Sequence, residues 1–415
     1  MRNISSSVQL ADGTQPWRQV QSYKCRVFEG VAMKVDIKIK GGRVIDIAAG
    51  IDEVRDLYIQ GNRVIAGPEV EAIKPATTID AGGCLVVPGL IDFHAHYFAD
   101  GTEWGTPADS SFLPVGVTTA VDAGSAGSAT YECFAKMNTC MYRMRTFSFL
   151  NVSPGGLVSA RYEENIDPCV FDAVRITQLF EKYQGQLIGL KVRQSKEIAG
   201  GLGLRPLEAT LQLAERLGCP VVVHTTNPAG KAEDIADMLR PGDVYCHPYN
   251  HRGDTIMGGD GKVKPAIRAA RQRGVLFDSA NARVHFYFPL AATAISQNFL
   301  PDIISTDITS VSSYGEYVYG LPYVMMHFLA LGMPLTKVIE ACTATPARAL
   351  GQEGRIGTLK PGAFADVAVF RLRQKDALIK DYFGNPLQIH EWLVPQMTIL
   401  DGKIAYRQID FDRFD

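Results

Sequence analysis

The segment VVPGLIDFHAH (residues 86–96) is the first of eight apolar runs that alternate with helical patterns up to about Leu350. Buried runs of this kind, each followed by a helix, are typical of parallel strands joined by crossover helices. Eight such units predict an α/β fold with a closed, TIM-like (β/α)8 barrel. The other seven runs are TTAVDAG (118–124), TFSFLNVS (146–153), LIGLKVR (187–193), PVVVHT (220–225), DVYCHPYN (243–250), VLFDSAN (275–281) and DIISTDIT (302–309).

The helical patterns are clearest after the fourth, fifth and sixth runs. In RPLEATLQLAERLG (205–218) the apolar residues recur at helical spacing, Pro206 suits the first turn and Gly218 suits the end. KAEDIADMLRPG (231–242) and VKPAIRAARQRG (263–274) behave in the same way. We therefore predict a helix in each of these three segments.

The two ends of the chain resemble each other and differ from the middle. MKVDIKIKGGRVIDI, from Met33, and DLYIQGNRVIAG, from Asp56, alternate apolar and polar residues around glycine-containing turns. GTLKPGAFADVAVF (357–370) and MTILDGKIAY (397–406) repeat this pattern. The predicted organisation is a small β-sandwich domain of residues 33–87 plus 352–415, a catalytic barrel of residues 88–351, and an N-terminal extension of residues 1–32 whose structure the sequence does not specify.

Composition narrows the classes of partner. With 42 basic and 44 acidic residues the net charge is −2, which supplies no electrostatic reason to expect nucleic acid or an anionic membrane as a partner. The eight cysteines form no CxxC pair, the N-terminus lacks the apolar core of a signal peptide, and no apolar stretch reaches about 18 residues. We expect a cytoplasmic protein that acts on a small molecule, and the sequence is compatible with a homo-oligomer.

Six residues that can bind metal or titrate lie at the ends of the predicted strands, where barrel enzymes carry their active sites. Because strand side chains alternate between faces, His94 and His96 point the same way and can share one divalent ion. Each residue alone has a structural explanation: a hydrogen-bonded core histidine, a helix-capping aspartate or an ion-paired lysine. Their joint placement favours a metal site. The six are His94, His96, Lys191, His224, His247 and Asp307.

Lys191 requires its own physical account, because a protonated ammonium beside two divalent cations would be repelled. A neutral amine can add carbon dioxide and form a carbamate, which is an anionic oxygen donor able to bridge two metals. The alternative is an unmodified Lys191 that binds a substrate carboxylate away from the metals.

PGLIDFHAH, the six residues above, TATPARALG (343–351) and GTLKPGAFADVAVF together resemble the amidohydrolase superfamily. The resemblance extends from about Met33 to about Tyr406. Within it, GLKVRQSKEIAGGLG followed by PLEAT resembles the dihydroorotase-like branch of amidohydrolase/deacetylase metallohydrolases.

This resemblance implies a site with two divalent metal ions, zinc being the expected metal. His94, His96 and Asp307 would bind the more buried ion, His224 and His247 the more exposed one, and a carbamylated Lys191 would bridge them. A metal-activated hydroxide would attack an amide or ester carbonyl, which the exposed metal polarises. Asp307 would be the catalytic residue that takes the proton and delivers it to the leaving group.

The favoured function is deacetylase-like hydrolysis of an N-acyl amino acid or an O-acyl hydroxy acid. Dihydroorotases typically carry a carboxylate-binding arginine two residues beyond the HxH pair, where this chain has Phe98. Another residue must then bind a substrate carboxylate, and the candidates are Arg283 in the seventh loop and, less favoured, Arg193 and Ser195. A solvated loop charge remains the alternative for Arg283.

Three other functions are alternatives to deacylation. A cyclic amidase of the dihydroorotase or hydantoinase kind would share the site and differ in its loops. A nucleobase deaminase generally uses one metal and lacks the bridging lysine. A non-enzymatic assembly protein would have lost ligands that are present here. Among the other histidines, His251 and His285 lie in active-site loops, either touching substrate or exposed, whereas His327 is predicted to pack against the core.

Overall fold

The computed structural model describes residues 35–67, 74–159 and 164–412, so the predicted extension at 1–32 lies outside the described residues. The strands are β1 (Ile37–Asp46), β2 (Ile51–Gln60), β3 (Arg63–Ile65), β4 (Thr77–Asp80), β5 (Cys84–Pro88), β6 (Leu90–Ala95), β7 (Val117–Gly127), β8 (Arg145–Asn151), β9 (Leu187–Arg193), β10 (Val221–His224), β11 (Val244–Cys246), β12 (Leu276–Asp278), β13 (Val367–Lys380), β14 (Pro386–Leu400) and β15 (Lys403–Arg407). The α-helices are α1 (Ala108–Phe112), α2 (Tyr131–Met141), α3 (Ala173–Lys182), α4 (Lys196–Ala199), α5 (Arg205–Leu217), α6 (Ala232–Met238), α7 (Pro265–Gln272), α8 (Phe288–Ser296), α9 (Leu321–Ala330), α10 (Leu335–Cys342) and α11 (Ala344–Ala349).

Strands β6 to β12 form a parallel sheet in sequence order. The eighth predicted run closes this sheet: Ile303 forms a parallel bridge with Asp278 of β12, and Ile308 forms one with Ala95 of β6. The predicted TIM-like barrel is therefore confirmed.

Successive side chains of a barrel strand face two environments in turn, the surrounding helices and the barrel interior. In β10, Val221 and Val223 pack outward in the core that includes the helices, while Val222 packs inward with Phe149 and Val244. His224 continues the inward series at the carboxyl end of the strand. The strand period thus directs polar residues at strand ends into the barrel mouth.

The terminal segments form a separate sheet, as predicted from their alternating sequence. Its strand order is β15-β14-β13-β5-β1-β2-β3, with β4 pairing on β1. Most pairs are antiparallel, whereas β4 and β5 run parallel to β1. One buried cluster lies against it and includes Ile39, Ile59, Val86, Val367 and Ile399.

The three predicted helices are present. Helix α5 ends at Leu217 and is capped by Gly218, whose φ of 64° is the left-handed conformation that a glycine cap adopts at low cost. Helix α6 ends at Met238, earlier than the 231–242 pattern predicts, because Pro241 disfavours helical backbone in the residue before it. None of the helices in the described part of the chain is long and apolar enough to cross a membrane.

Arg145, the first residue of β8, joins the barrel to the terminal sheet. Its Nη2 lies 3.1 Å from Asp366 Oδ2 and 2.9 Å from Asp401 Oδ1. The Asp366 side chain is only 3% exposed, and burial raises the pKa of this carboxyl group while the Arg145 charge opposes that shift. Removing Arg145 would leave a buried carboxylate without its counter-charge.

We predict that Arg145→Ala lowers the free energy of unfolding by about 2–4 kcal/mol, as expected when one partner of a largely buried ion pair is removed. Urea denaturation followed by circular dichroism measures the change. Arg55→Ala is the matched control, because Arg55 pairs with Glu53 on the exposed face of β2 and should contribute less than about 1 kcal/mol. Equal, small effects in the two variants would contradict the role assigned to Arg145.

Candidate metal centre

A cavity of about 480 Å³ opens at the carboxyl ends of the barrel strands. Five of the six predicted ligands line it, together with the three predicted substrate contacts. The sixth ligand, His247, is fully buried, and its Nε2 lies 2.9 Å from Nδ1 of His224. The cavity-lining residues from the prediction are His94, His96, Lys191, Arg193, Ser195, His224, Arg283 and Asp307.

The Asp307 carboxylate is the centre of the histidine cluster. Its Oδ1 lies 3.1 Å from His96 Nε2 and 3.7 Å from His94 Nε2. Its Oδ2 lies 3.9 Å from the Nε2 atoms of both His247 and His285. The Asp307 carboxylate therefore faces two imidazoles from the end of the first strand, one from the end of the sixth strand and one from the loop after the seventh.

Lys191 is buried beside this cluster, with 3% of its surface exposed and its Nζ 3.3 Å from His94 Nε2. Gly124 makes room for it, since a Cβ at Gly124 would lie 2.7 Å from Lys191 Cβ. No carboxylate of residues 35–67, 74–159 or 164–412 forms an ion pair with Lys191. Lys191 is therefore a buried amine among imidazoles, without a counter-ion from these residues.

A third imidazole joins His224 and His247. Ring centroids of His285 lie 4.9 Å from His224 and 4.3 Å from His247, and one nitrogen from each of the three residues falls within 4.8 Å of the others. His285 Nδ1 is 2.8 Å from Thr226 Oγ1, so its Nε2 is the nitrogen directed at Asp307. The sequence predicts His285 either to touch substrate or to be exposed in its loop. It does not end a strand, and only the fold of the loop brings it beside His224 and His247.

Hydrogen bonds to the Nδ1 atoms orient three of the histidines. His94 Nδ1 lies 3.2 Å from Asp278 Oδ2, and His96 Nδ1 lies 2.9 Å from Ser125 Oγ. His247 Nδ1 donates to the Ala280 carbonyl at 2.8 Å. Partners of this kind hold the ring and keep Nε2 available as a ligand. Sequence reasoning missed Asp278, although it stands in the seventh run, VLFDSAN.

The electrostatics suit a cation. Burial lowers the pKa of His94 and holds the pKa values of His224 and His247 well below their usual range. Burial also lowers the pKa of His285 to about 4. For Asp307, burial favours the neutral acid, but the imidazoles of His94 and His96 outweigh it and hold the pKa well below the usual range. Neutral imidazoles and an ionised carboxylate are the protonation states that a divalent metal requires.

Two of the clustered residues have unusual backbone. His247 has a φ of 62° and Asp307 a φ of 50°, in the left-handed region that few residues other than glycine adopt. Backbone hydrogen bonds hold both turns: His247 N donates to Asp278 O at 3.0 Å, and Asp307 N donates to His94 O at 2.7 Å. Such conformations persist where the surroundings impose them, and they are concentrated at functional sites.

Three arginines line the cavity and differ in their partners. Arg193 pairs with Glu164 at 2.6 Å, and Arg252 pairs with Glu197 at 2.5 Å. Arg283 is exposed in the seventh loop, and no carboxylate in the described ranges pairs with it. Of the two arginines predicted to contact substrate, Arg193 is therefore paired with a carboxylate, whereas Arg283 forms no ion pair with the described residues.

The remaining predictions concern residues outside the cluster. Phe98 is 4% exposed, and its ring lies 5.1 Å from that of Phe134, so it packs in the core and does not line the cavity. His327 is buried with its ring 4.8 Å from Tyr323, which confirms the predicted core position. His251 is exposed and stacks on Tyr287.

The chain is similar to several known proteins over most of its length. A deacetylase of Agrobacterium fabrum is 32% identical over 84% of this chain and 86% of its own length. A deacetylase of Brucella anthropi is 30% identical over 85% of this chain and 88% of its own length. A dihydroorotase of Geobacter metallireducens is 25% identical over 90% of this chain and its full length.

Two solved structures share the fold over nearly the whole chain. An adenine deaminase superposes with a TM-score of 0.81 and 26% identity, covering 90% of this chain and 100% of its own. A dihydroorotase superposes with a TM-score of 0.80 and 29% identity, covering 91% and 99%. The sequence profile of the Amidohydrolase family matches residues 85–405. The chain therefore belongs to the amidohydrolase family and is a hydrolytic enzyme.

Proposed function

We propose that this enzyme removes an acyl group, acetyl in the simplest case, from an N-acyl amino acid or an O-acyl hydroxy acid. The observation that carries the proposal is Arg283, a cation without a carboxylate partner among the described residues, on the same cavity as the histidine cluster. A guanidinium there suits a substrate carboxylate. The two relatives named deacetylases support the same reading.

The donor set fits two divalent ions, with zinc as the expected metal. His94, His96 and Asp307 would hold the more buried ion, His224 and His247 the more exposed one, and a carbamylated Lys191 would bridge both. When bound, the two ions would lower the pKa of a coordinated water and polarise the scissile carbonyl. Carbamylation suits Lys191 because its Nζ lies 3.3 Å from His94 Nε2, where two bound divalent ions would repel an ammonium.

The chain's own residues supply proton transfer and orientation. Asp307 is ionised when the site is ready to react, so its carboxylate accepts a proton from the attacking water and later delivers it to the leaving nitrogen or oxygen. Arg283 binds the substrate carboxylate and so directs the acyl group toward Asp307. Arg193 is held by Glu164, which makes it a weaker candidate for the same task.

A cyclic amidase is the second candidate, favoured by the likeness to a dihydroorotase structure at 29% identity. The buried position of Phe98 counts against it, because that position offers no carboxylate-binding group. An activity screen of zinc-loaded protein separates the candidates, with N-acetyl amino acids, O-acetyl hydroxy acids, cyclic ureides and adenine as substrates. Turnover of a cyclic ureide or of adenine alone would overturn the deacylase proposal.

We predict about two divalent ions per wild-type chain and a large loss of metal and activity in Lys191→Ala, because no other anionic group is proposed to bridge both ions. Elemental analysis by mass spectrometry measures the metal. Lys196→Ala, on the exposed surface five residues away, should keep the wild-type content. A single tightly bound ion in metal-replete wild type, or an unmodified Lys191 in density beside filled metal positions, would defeat the bridging role.

Asp307→Asn should retain much of its metal while kcat falls by about 10²–10⁴-fold, since the amide keeps one oxygen donor but is not a base. An activated aryl ester should lose less activity than an unactivated amide, because its leaving group needs less protonation. Loss of metal would instead depress both substrates equally. Near-normal hydrolysis of the amide by the metal-loaded variant would show that another residue is the base.

Arg283→Ala should raise KM for a carboxylate-bearing substrate by about 10–100-fold, the usual range for a charge-assisted hydrogen bond, with a smaller effect on kcat. The matched control is the methyl amide of the same substrate, which lacks the carboxylate and should respond little. Arg193→Ala should have the smaller effect of the two. If Arg283→Ala lost activity equally toward the carboxylate substrate and its methyl amide, carboxylate recognition by Arg283 would be refuted.

A further inference from the structure

One long hairpin of the terminal sheet, β13 with β14, extends to the active-site face of the barrel. Strands β13 and β14 contain 14 and 15 residues, or about 45 Å of extended chain. Strand β13 pairs with β5 only as far as Arg371, and beyond that point β13 and β14 pair with each other up to Lys380 and Pro386. This outer part lies along α9, where Leu393 N contacts Met326 Sδ at 3.3 Å.

The end of the hairpin, residues 381–385, is here called the hairpin tip. Its carboxylate, Asp381, is 5% exposed and accepts a hydrogen bond from the backbone N–H of Phe288 at 3.0 Å. The other oxygen accepts from the N–H groups of Phe383 and Asn385, at 3.0 and 2.9 Å. Phe288 is the first residue of α8 and directly follows loop seven, residues 279–287. Asp381 thus joins the turn of the hairpin to the end of the loop that carries Arg283 and His285.

Aromatic contacts extend this junction to neighbouring loops. The Phe383 ring lies 4.2 Å from His251 and 5.8 Å from Tyr287, and His251 stacks on Tyr287 at 4.3 Å. Tyr382 lies 5.6 Å from Tyr317. The tip therefore contacts loops that follow the sixth, seventh and eighth strands of the barrel.

Loop seven needs such support because its backbone is strained. Ala280 and Ala282 have φ values of 38° and 41°, a conformation that L-residues rarely adopt and that surrounding contacts must maintain. Arg283 follows directly and lines both the main cavity and a small crevice against Asp381 and Tyr382.

We propose that the hairpin tip positions loop seven, so that Asp381 and Phe383, which touch no reacting atom, set the placement of Arg283 and hence the KM for a carboxylate substrate. Asp381 is a positioning residue. The part of this inference that concerns KM rests on the proposed deacylase function, whereas the part that concerns the order of loop seven does not.

Hydrogen–deuterium exchange of the metal-loaded, full-length protein tests the structural part. In Asp381→Asn the amide NH₂ faces the Phe288 N–H, so exchange should rise about tenfold in peptides covering 279–290, with β6 to β9 unchanged. Phe383→Ala should raise exchange in the same peptides and in those that contain His251. Leu378→Ala, on the exposed face of the same hairpin, should leave all of these peptides unchanged. Unchanged exchange in loop seven for both tip variants, or an equal rise throughout the barrel, would overturn the proposal.

Steady-state kinetics test the consequence. Both tip variants should raise KM for the carboxylate substrate about fivefold to tenfold, with metal content and kcat nearly unchanged and with little effect on its methyl amide. A fall in kcat with unchanged KM would contradict positioning of Arg283. If wild type hydrolyses no acylated acid, the proposed function fails, and the exchange experiment still decides whether the tip orders loop seven.

Discussion

A single buried carboxylate, Asp307, is the constraint on which the rest of this site depends. It remains ionised against the cost of burial because imidazoles surround it, with His96 at 3.1 Å and His94 at 3.7 Å. The same burial lowers the pKa values of His94, His224 and His247, which favours their neutral forms. The cavity therefore brings one carboxylate and several imidazoles together, and these are ligand types that bind a divalent cation.

The fold supplies this arrangement by closing the barrel. Asp307 N donates to the carbonyl of His94, so the last strand is attached to the first at the level of the cluster. His247 follows Cys246, which packs inside the barrel with Val222 and Val244, so the left-handed backbone of His247 turns inward a side chain that continued strand alternation would have directed outward. Closure and site formation are thus one event, and a chain that failed to pair its eighth strand with its first would have no site.

The terminal sheet has two relations to the barrel. Near its base, the Arg145 ion pairs attach it to the start of β8. At its far end, the β13–β14 hairpin contacts the loops around the cavity through Asp381 and Phe383. The chain segment after the barrel consequently contacts loops that carry cavity-lining residues, although it contributes none of the proposed metal ligands.

The sequence by itself determined the barrel and the six strand-end residues, because strand alternation and helix periodicity are local patterns that each segment carries within itself. It also excluded Phe98 as a carboxylate-binding group. Only the tertiary structure decided the place of His285, the support of His94 by Asp278, and the contact of Asp381 with Phe288. These contacts, His247 with His285, Phe288 with Asp381 and His94 with Asp278, join residues 38 to 184 positions apart, and they depend on loop paths with no periodic signal. A loop is shaped by what it packs against, so its side chains cannot be placed until the rest of the chain has folded around it.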